Sequence, residues 1–353
     1  MDHPLAETRA TEPRAADPRT ADPNSAVARA HSNIALIKYW GKRDAALNLP
    51  AVGSISLTLD ALSTRTSVAF RPGLAADEFL LDGEAADAGR VSRLLDLVRE
   101  RAGVAEHAVV SSANDFPTGA GLASSASGFA ALAVAASAAA LSAAGDTGQA
   151  MPDDRELSIL ARRGSGSAAR SIFGGVVELH RGSRADGRDS FAEPLLDAGE
   201  WPLTVVVAIT DPRTKLVNST AGMGESALSS PFYPAWVDTA EGDLADARAA
   251  IAARDFERLG ELTEYSCLKL HSIMLTTRPA LLYWNAATVA AIQVVRELRG
   301  SGIPAYFTID AGPQLKALCP PEHARAVADA LAAVPGVQET RISALGPGAR
   351  LVP

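Results

Sequence analysis

The chain has 353 residues, enough for about two domains that each bury a core. Hydrophobic residues make up 47% and charged residues 21%, the composition of an ordinary globular protein. With 33 Lys and Arg against 41 Asp and Glu, the net charge of −8 argues against a nucleic-acid partner or an anionic membrane surface, which select for a basic face.

Residues 1–27 alternate acids and arginines among four prolines and contain no apolar core segment. They do not read as a secretory signal, their acids argue against a transit peptide, and they are read as a disordered tail. From Ala28 the run "ARAHSNIALIKYWGKRDAALNLPAVGSISLTL" predicts strand, turn, strand, and "TRTSVAFR" (64–71) a further strand. Val91, Leu94, Leu95 and Val98 fall at i, i+3, i+4 and i+7, the signature of an amphipathic helix. A small-residue loop then leads into a long Ala-rich helix. Residues 116–145 carry no charge and are long enough to cross a bilayer, but their Ala, Ser and Gly content favours a buried helix.

"DDRELSILARR" predicts another helix, closed by "GSGSAARSIFGG", and "VVELHR" returns to strand. The Pro- and acid-bearing "EPLLDAGEWP" marks a boundary near residue 196, giving domains 28–195 and 196–353. "LTVVVAIT" is a buried strand by its β-branched density. Helical patterns follow over 240–262 and 280–298, then a strand ending in a turn at "IPAYFTIDAGP" and a helix over "PEHARAVADALAAV". Strands and helices without strict alternation predict an α+β class with two domains.

Cys267 and Cys319 lack metal-type spacing, and the histidines form no HExxH. Neither a disulfide framework nor a transition-metal site is expected, and a reducing cytoplasm is the expected setting.

Four stretches carry chemistry. In "PTGAGLASSASG" the glycines let backbone approach a phosphate chain closely, and the helix that follows offers unpaired N–H groups to an anion. The loop has neither the Walker ending nor the third glycine of a dinucleotide fingerprint, and taken alone such a pattern is more often close helix packing than phosphate binding. "RRGSGSAARS" offers hydroxyls at Ser165 and Ser167 with three arginines, whose forked donors suit carboxylate or phosphate, or which are simply solvated. In "KYWGKRD", Lys38 ends an apolar run, where a lysine is costly without an anionic partner. In "YFTIDAGP", Asp310 stands at a strand end before a turn, a place for a catalytic carboxylate or for a turn cap.

Together, "NIALIKYWGKRDAALNLP", "NDFPTGAGLASSASGFAAL", "RRGSGSAARSIFGG", "STAGM" and "FTIDAGP" resemble the GHMP-kinase superfamily and, within it, the mevalonate diphosphate decarboxylases. The resemblance runs from about Asn33 to Gly348. It implies a two-domain α+β GHMP-kinase fold with the active site in the cleft between domains. It implies a reaction in which ATP and Mg²⁺ serve to phosphorylate the tertiary 3-hydroxyl of a mevalonate phosphate ester, before phosphate and CO₂ depart. By motif, Asp310 stands where the family has its catalytic aspartate, Lys38 beside it, and Arg170 where the substrate carboxylate is held. Tyr39, Lys42, Ser165, Ser167, Asn218 and Ser219 match the substrate's phosphate end. Gly119, Ala120, Gly121, Leu122, Ala123, Ser124 and Ser125 match the ATP-phosphate loop, with Ser125 a magnesium contact. A homodimer is implied as well.

Two departures stand out. "AVGS" replaces the family's Asn-Ser-Ser, so Val52 and Gly53 stand at polar positions. Asn218-Ser219 replaces its serine pair, which leaves a phosphomevalonate decarboxylase as the alternative. A small-molecule kinase without decarboxylation is the other alternative, and the presence of Asp310, Lys38 and Arg170 together weighs against it.

Overall fold

The computed structural model describes residues 24–118, 121–145, 147–213 and 217–353. Two main sheets, each with its own helices, meet across a cleft, the α+β arrangement expected from the sequence.

The chain opens with β1 (Ser25–Ile37), beginning three residues before the expected start at Ala28, then β2 (Lys42–Asp44) and β3 (Leu49–Pro50). β4 (Ser54–Arg71) is one strand of 18 residues that joins the "SISLTL" and "TRTSVAFR" segments. Its first six residues are buried on both faces, while residues 62–70 alternate buried and half-buried. β5 (Glu78–Leu81), β6 (Glu84–Ala85), α1 (Gly89–Ala102) and β7 (His107–Asn114) follow. The predicted helical face is present: Val91, Leu94, Leu95 and Val98 are all buried in α1.

The next elements are α2 (Ser124–Ala144), α3 (Asp154–Gly164), a 3-10 segment over Gly166–Ile172, β8 (Val176–Leu179) and β9 (Ala192–Leu196). α2 is long and apolar enough to span a membrane by composition, but residues on all its sides are packed inside the N-terminal core. α3 starts with a capping box in which Asp153 accepts from Glu156 N and the Glu156 side chain returns to Asp153 N.

The second unit holds β10 (Thr204–Ile209), α4 (Ser219–Ser229), α5 (Tyr233–Ala253), α6 (Phe256–Leu275), α7 (Ala286–Gly300), β11 (Tyr306–Ile309), β12 (Leu315–Cys319), α8 (Ala324–Ala332), β13 (Glu339–Ala344) and β14 (Arg350–Leu351). The continuous helix expected over 240–262 is two helices. Arg254 turns left-handed at φ 57°, and Asp255 caps the next helix by accepting from Arg258 N. The start expected at residue 280 moves to Ala286, because Asn285 and Thr288 form a reciprocal cap there.

The largest sheet runs β14-β1-β4-β7-β5-β6, with β8 on the other part of β4 and β9 beyond it; a four-stranded sheet runs β11-β12-β10-β13, and β2 and β3 pair as a short two-stranded sheet. The chain end therefore returns to the first unit: β14 pairs with β1 at Ala28 and Arg29, although the sequence places 350–351 in the second domain. One core cluster fills the space between sheets, combining Ile34, Leu57 and Leu59 with Val205, Val207, Leu244 and Ile251.

Candidate active site

β1 ends at Ile37 and delivers Lys38 into the cleft, while β11 ends at Ile309 and delivers Asp310 opposite it. Lys38 Nζ donates to Asp310 Oδ1 at 2.6 Å and to the Ala35 carbonyl at 2.7 Å. The lysine side chain is 1% exposed and the aspartate 25%, so the carboxylate forms part of the cavity wall over a buried cation. A second buried lysine, Lys316 on β12, donates to Asp310 Oδ2 at 3.2 Å and to the Gly121 carbonyl at 2.9 Å. Burial by itself would push the Asp310 carboxyl up. The two ammonium groups outweigh that and hold it well below the usual carboxylate range.

The 3-10 segment brings Arg170 to the same cavity. Its guanidinium is buried and held by neutral groups: Nε and Nη2 donate to Asn33 Oδ1 at 3.1 and 2.9 Å, Nε to Ser56 Oγ at 2.9 Å, and Nη1 to Ser54 Oγ at 2.6 Å. Burial lowers its pKa to about 10, against the raising effect of Asp310, so it is still a cation at neutral pH. Its neighbour Arg162, one of the three arginines of that stretch, points elsewhere and donates to the carbonyls of Leu47, Gly187 and Ser190.

The serine hydroxyls cluster. Ser165 Oγ lies 3.3 Å from Ser167 Oγ and 3.3 Å from Ser125 Oγ. Gly166 between them has no room for a side chain, since a Cβ would stand 2.5 Å from the Tyr39 hydroxyl. That hydroxyl is buried in the cavity wall without a hydrogen-bond partner among the described residues, and burial pushes its pKa up to about 12.

The small-residue loop meets α2 through Gly121 at φ 87° and Ala123 in the left-handed region at φ 57°. Ser124 and Ser125 form the first turn of this 21-residue helix, where unpaired backbone N–H groups favour an anion. Gly119 and Ala120 lie outside the described residues. Leu122 puts its side chain in the shared core, and its carbonyl accepts from Ser32 Oγ. Among the described residues no cluster of three or more His, Cys, Asp or Glu could hold a metal. A magnesium ion would therefore be held chiefly by nucleotide phosphates with a hydroxyl such as Ser125, the usual mode for Mg²⁺ beside a nucleoside triphosphate.

These groups surround one cavity of about 700 Å³. Lys38, Tyr39, Lys42, Gly121, Ala123, Ser124, Ser125, Ser165, Ser167, Arg170, Asn218, Ser219 and Asp310 all line it, so the structure brings together residues spread over 270 positions of sequence. Arg90 and Arg93 of α1 line it too, and went unread because they look like the solvated face of an amphipathic helix. With Lys42 they make one end of the cavity strongly cationic. Burial, then the charge of Arg90, lowers the Lys42 pKa.

Asn218, also in the cavity wall, caps α4 by accepting from Ala221 N at 3.0 Å. Val52 packs with Trp40, Met223 and Trp236, and a Cβ on Gly53 would stand 2.8 Å from Leu244. Neither lines the cavity. The neighbouring Ser54 is the one that reaches Arg170.

Comparison with known proteins agrees with this geometry. Residues 30–192 match the model of the diphosphomevalonate decarboxylase-like N-terminal domain, and 205–345 that of the mevalonate 5-diphosphate decarboxylase C-terminal domain. Diphosphomevalonate decarboxylase mvd1 of Aspergillus fumigatus is 38% identical over 313 residues, 82% of this chain and 75% of its own. The structure of MDDEF in complex with MVAPP, AMPPCP and magnesium superposes with a TM-score of 0.84 at 41% identity, covering 93% of this chain and 98% of that one. A structure of the mevalonate diphosphate decarboxylase from Enterococcus faecalis gives 0.83 at 40% identity, covering 93% and 98%. Paired domain models in order, and relatives alike over most of their own length, place this chain in the diphosphomevalonate decarboxylase family.

Proposed function

We propose that this chain catalyses the ATP-dependent decarboxylation of mevalonate 5-diphosphate to isopentenyl diphosphate, releasing ADP, phosphate and CO₂. The observation that carries the reading is the pairing of an ionised Asp310 with Lys38 in a cavity that also holds Arg170, whose guanidinium donates to the neutral side chains of Asn33, Ser54 and Ser56. Asp310 orients the tertiary 3-hydroxyl and accepts its proton as that oxygen bonds to the terminal phosphorus of ATP and the bond to ADP breaks. Lys38 keeps the carboxylate ionised and offsets negative charge gathering on the transferred phosphoryl group. Arg170 holds the substrate carboxylate by its fork and so fixes the carbon that is about to lose CO₂.

When the new 3-phosphate departs with the electrons of its C–O bond, the C–C bond to the carboxylate supplies the pair for the double bond. Tyr39, Lys42, Ser165, Ser167, Asn218 and Ser219 bind the substrate's diphosphate. The loop from Gly119 to Ser125 would bind the nucleotide phosphates, and Ser125 would offer its hydroxyl to a magnesium ion, which would supply positive charge to offset them.

A phosphomevalonate decarboxylase is the second reading, motivated by Asn218. The cationic end formed by Lys42, Arg90 and Arg93 favours the diphosphate over it. We place the division between domains near residue 196, with the tail ending before β1 begins at Ser25, and assign the enzyme to the cytoplasm as a homodimer, an oligomeric state that light scattering on the purified chain reads directly.

The test is CO₂ release. Wild-type protein with ATP, Mg²⁺ and mevalonate 5-diphosphate releases CO₂ with a higher kcat/KM than with the monophosphate. Asp310→Asn loses at least about a hundredfold in kcat, the scale of a positioned general base. A stable 3-phosphate without CO₂ points to a kinase instead, and full turnover by Asp310→Asn removes the assigned base.

A further inference from the structure

The reaction as set out leaves Lys316 without a task. Yet its side chain is 0% exposed, on a strand where Leu315, Ala317 and Leu318 are also buried. A buried ammonium is expensive unless it is paired and hydrogen-bonded, and an apolar residue on this strand would avoid the cost. The two partners of Lys316 come from different domains: the carboxylate of Asp310 and the backbone carbonyl of Gly121, at 3.2 and 2.9 Å. Their loops are also in contact, because a Cβ on Gly121 would lie 2.9 Å from Gly312 Cα, two residues past Asp310.

We propose that Lys316 is a positioning residue for phosphoryl transfer. Its ammonium ties the Asp310 carboxylate to the backbone of the nucleotide-phosphate loop, so that base and loop are set in register by one group. Each carboxylate oxygen then has its own lysine, Oδ1 with Lys38 and Oδ2 with Lys316, which fixes the plane of the carboxylate. Positioning of this kind matters because phosphoryl transfer depends on in-line placement.

The inference rests on Asp310 being the base. The charged and titratable groups around that carboxylate are Lys38 at the end of β1, Lys316 on β12, Arg170 on the 3-10 segment, and Cys267 and His271 on α6. Burial pushes the Cys267 thiol up to about 11 and the His271 imidazole down to about 3, so both are neutral at working pH and the cations govern Asp310.

The test is Lys316→Met, which keeps length and volume, removes the charge, and leaves Lys38 to pair Asp310. KM for ATP rises by about fivefold or more while KM for mevalonate 5-diphosphate changes less than about twofold. A purely structural lysine would lower stability and leave that split at its wild-type value. A folded Lys316→Met with wild-type KM for ATP overturns the proposal.

Should that variant fail to fold, Lys316→Arg carries the test. It keeps the charge but not the reach, so KM for ATP rises while KM for mevalonate 5-diphosphate stays within about twofold; a wild-type KM for ATP overturns the proposal. Asp310→Asn, assayed beside them, separates the two ideas. If it turns over normally the base assignment fails, and if it is inactive while both lysine variants behave as wild type, only the role of Lys316 fails.

Discussion

Lys38 and Lys316 carry the same sign in the sequence, a lysine set among apolar strand residues, in "LIKYW" and "QLKALC". The sign was legible for both, because a cation in such a place needs an anion. What the sequence could not supply was that one carboxylate answers to both, since Lys38 is 272 positions from Asp310 and the pairing is made by the fold. The neutral holders of Arg170 were hidden in a different way. Ser54 and Ser56 read as the polar face of an alternating strand, and only the packed 3-10 segment shows that this face is buried.

His271 was not singled out at all, and it sets a pH limit. Its Nε2 accepts from the Trp284 indole at 3.2 Å in the core behind Asp310, and burial holds its pKa near 3, down from 6.5. Between about pH 6.5 and 3 the unfolded chain takes up a proton that the folded chain does not. Stability therefore falls as pH drops through that window, by about 2 kcal/mol at pH 5 for this one group. Urea titrations at pH 7.5 and pH 5 read this loss. His271→Gln, which keeps an acceptor for Trp284 but cannot titrate, flattens the difference; an unchanged pH dependence contradicts the assignment.

At the scale of elements, what repeats with a clear period was readable and what depends on a single residue was not. The apolar spacing of α1 and the β-branched density of β10 predicted those elements directly. The break between α5 and α6 lies inside an unbroken helical pattern, where only Asp255 hints at a new start. α4, with Gly222 and Gly224 in eleven residues, shows little helical period, and its first turn forms over the Asn218 cap. The Asp255 cap can be tested without touching the cavity. Asp255→Ala leaves the Arg258 N–H without its acceptor and lowers stability by about 1 kcal/mol, while kcat and both KM values stay as in wild type. A stability loss near zero in chemical denaturation means that the turn at Arg254 suffices to start α6.

For the whole molecule, the sequence divided the chain near residue 196, but the packing does not follow that line. Ile34, Leu57 and Leu59 from the first sheet share a core with Val205 and Val207 of the second and with Leu244 and Ile251 of α5. β14 crosses back to pair with β1, and Lys316 joins the two loops above. Chains of two domains commonly unfold in steps, each domain melting around its own core. Here the first unit cannot separate without baring one side of β1 and β4, at about 25 cal/mol per Å² of apolar surface newly exposed to water. We therefore expect one cooperative transition in urea, with far-UV circular dichroism and tryptophan fluorescence superimposing. Trp40 sits where the units meet, packed with Met223 and Trp236, and Trp201, Trp236 and Trp284 belong to the second, so the fluorescence senses the contact and the second unit. A fragment ending at residue 196 should fail to fold on its own. Two separated transitions, or a soluble folded fragment, would show that the shared core adds little and that the cleft can open as a hinge between independent halves.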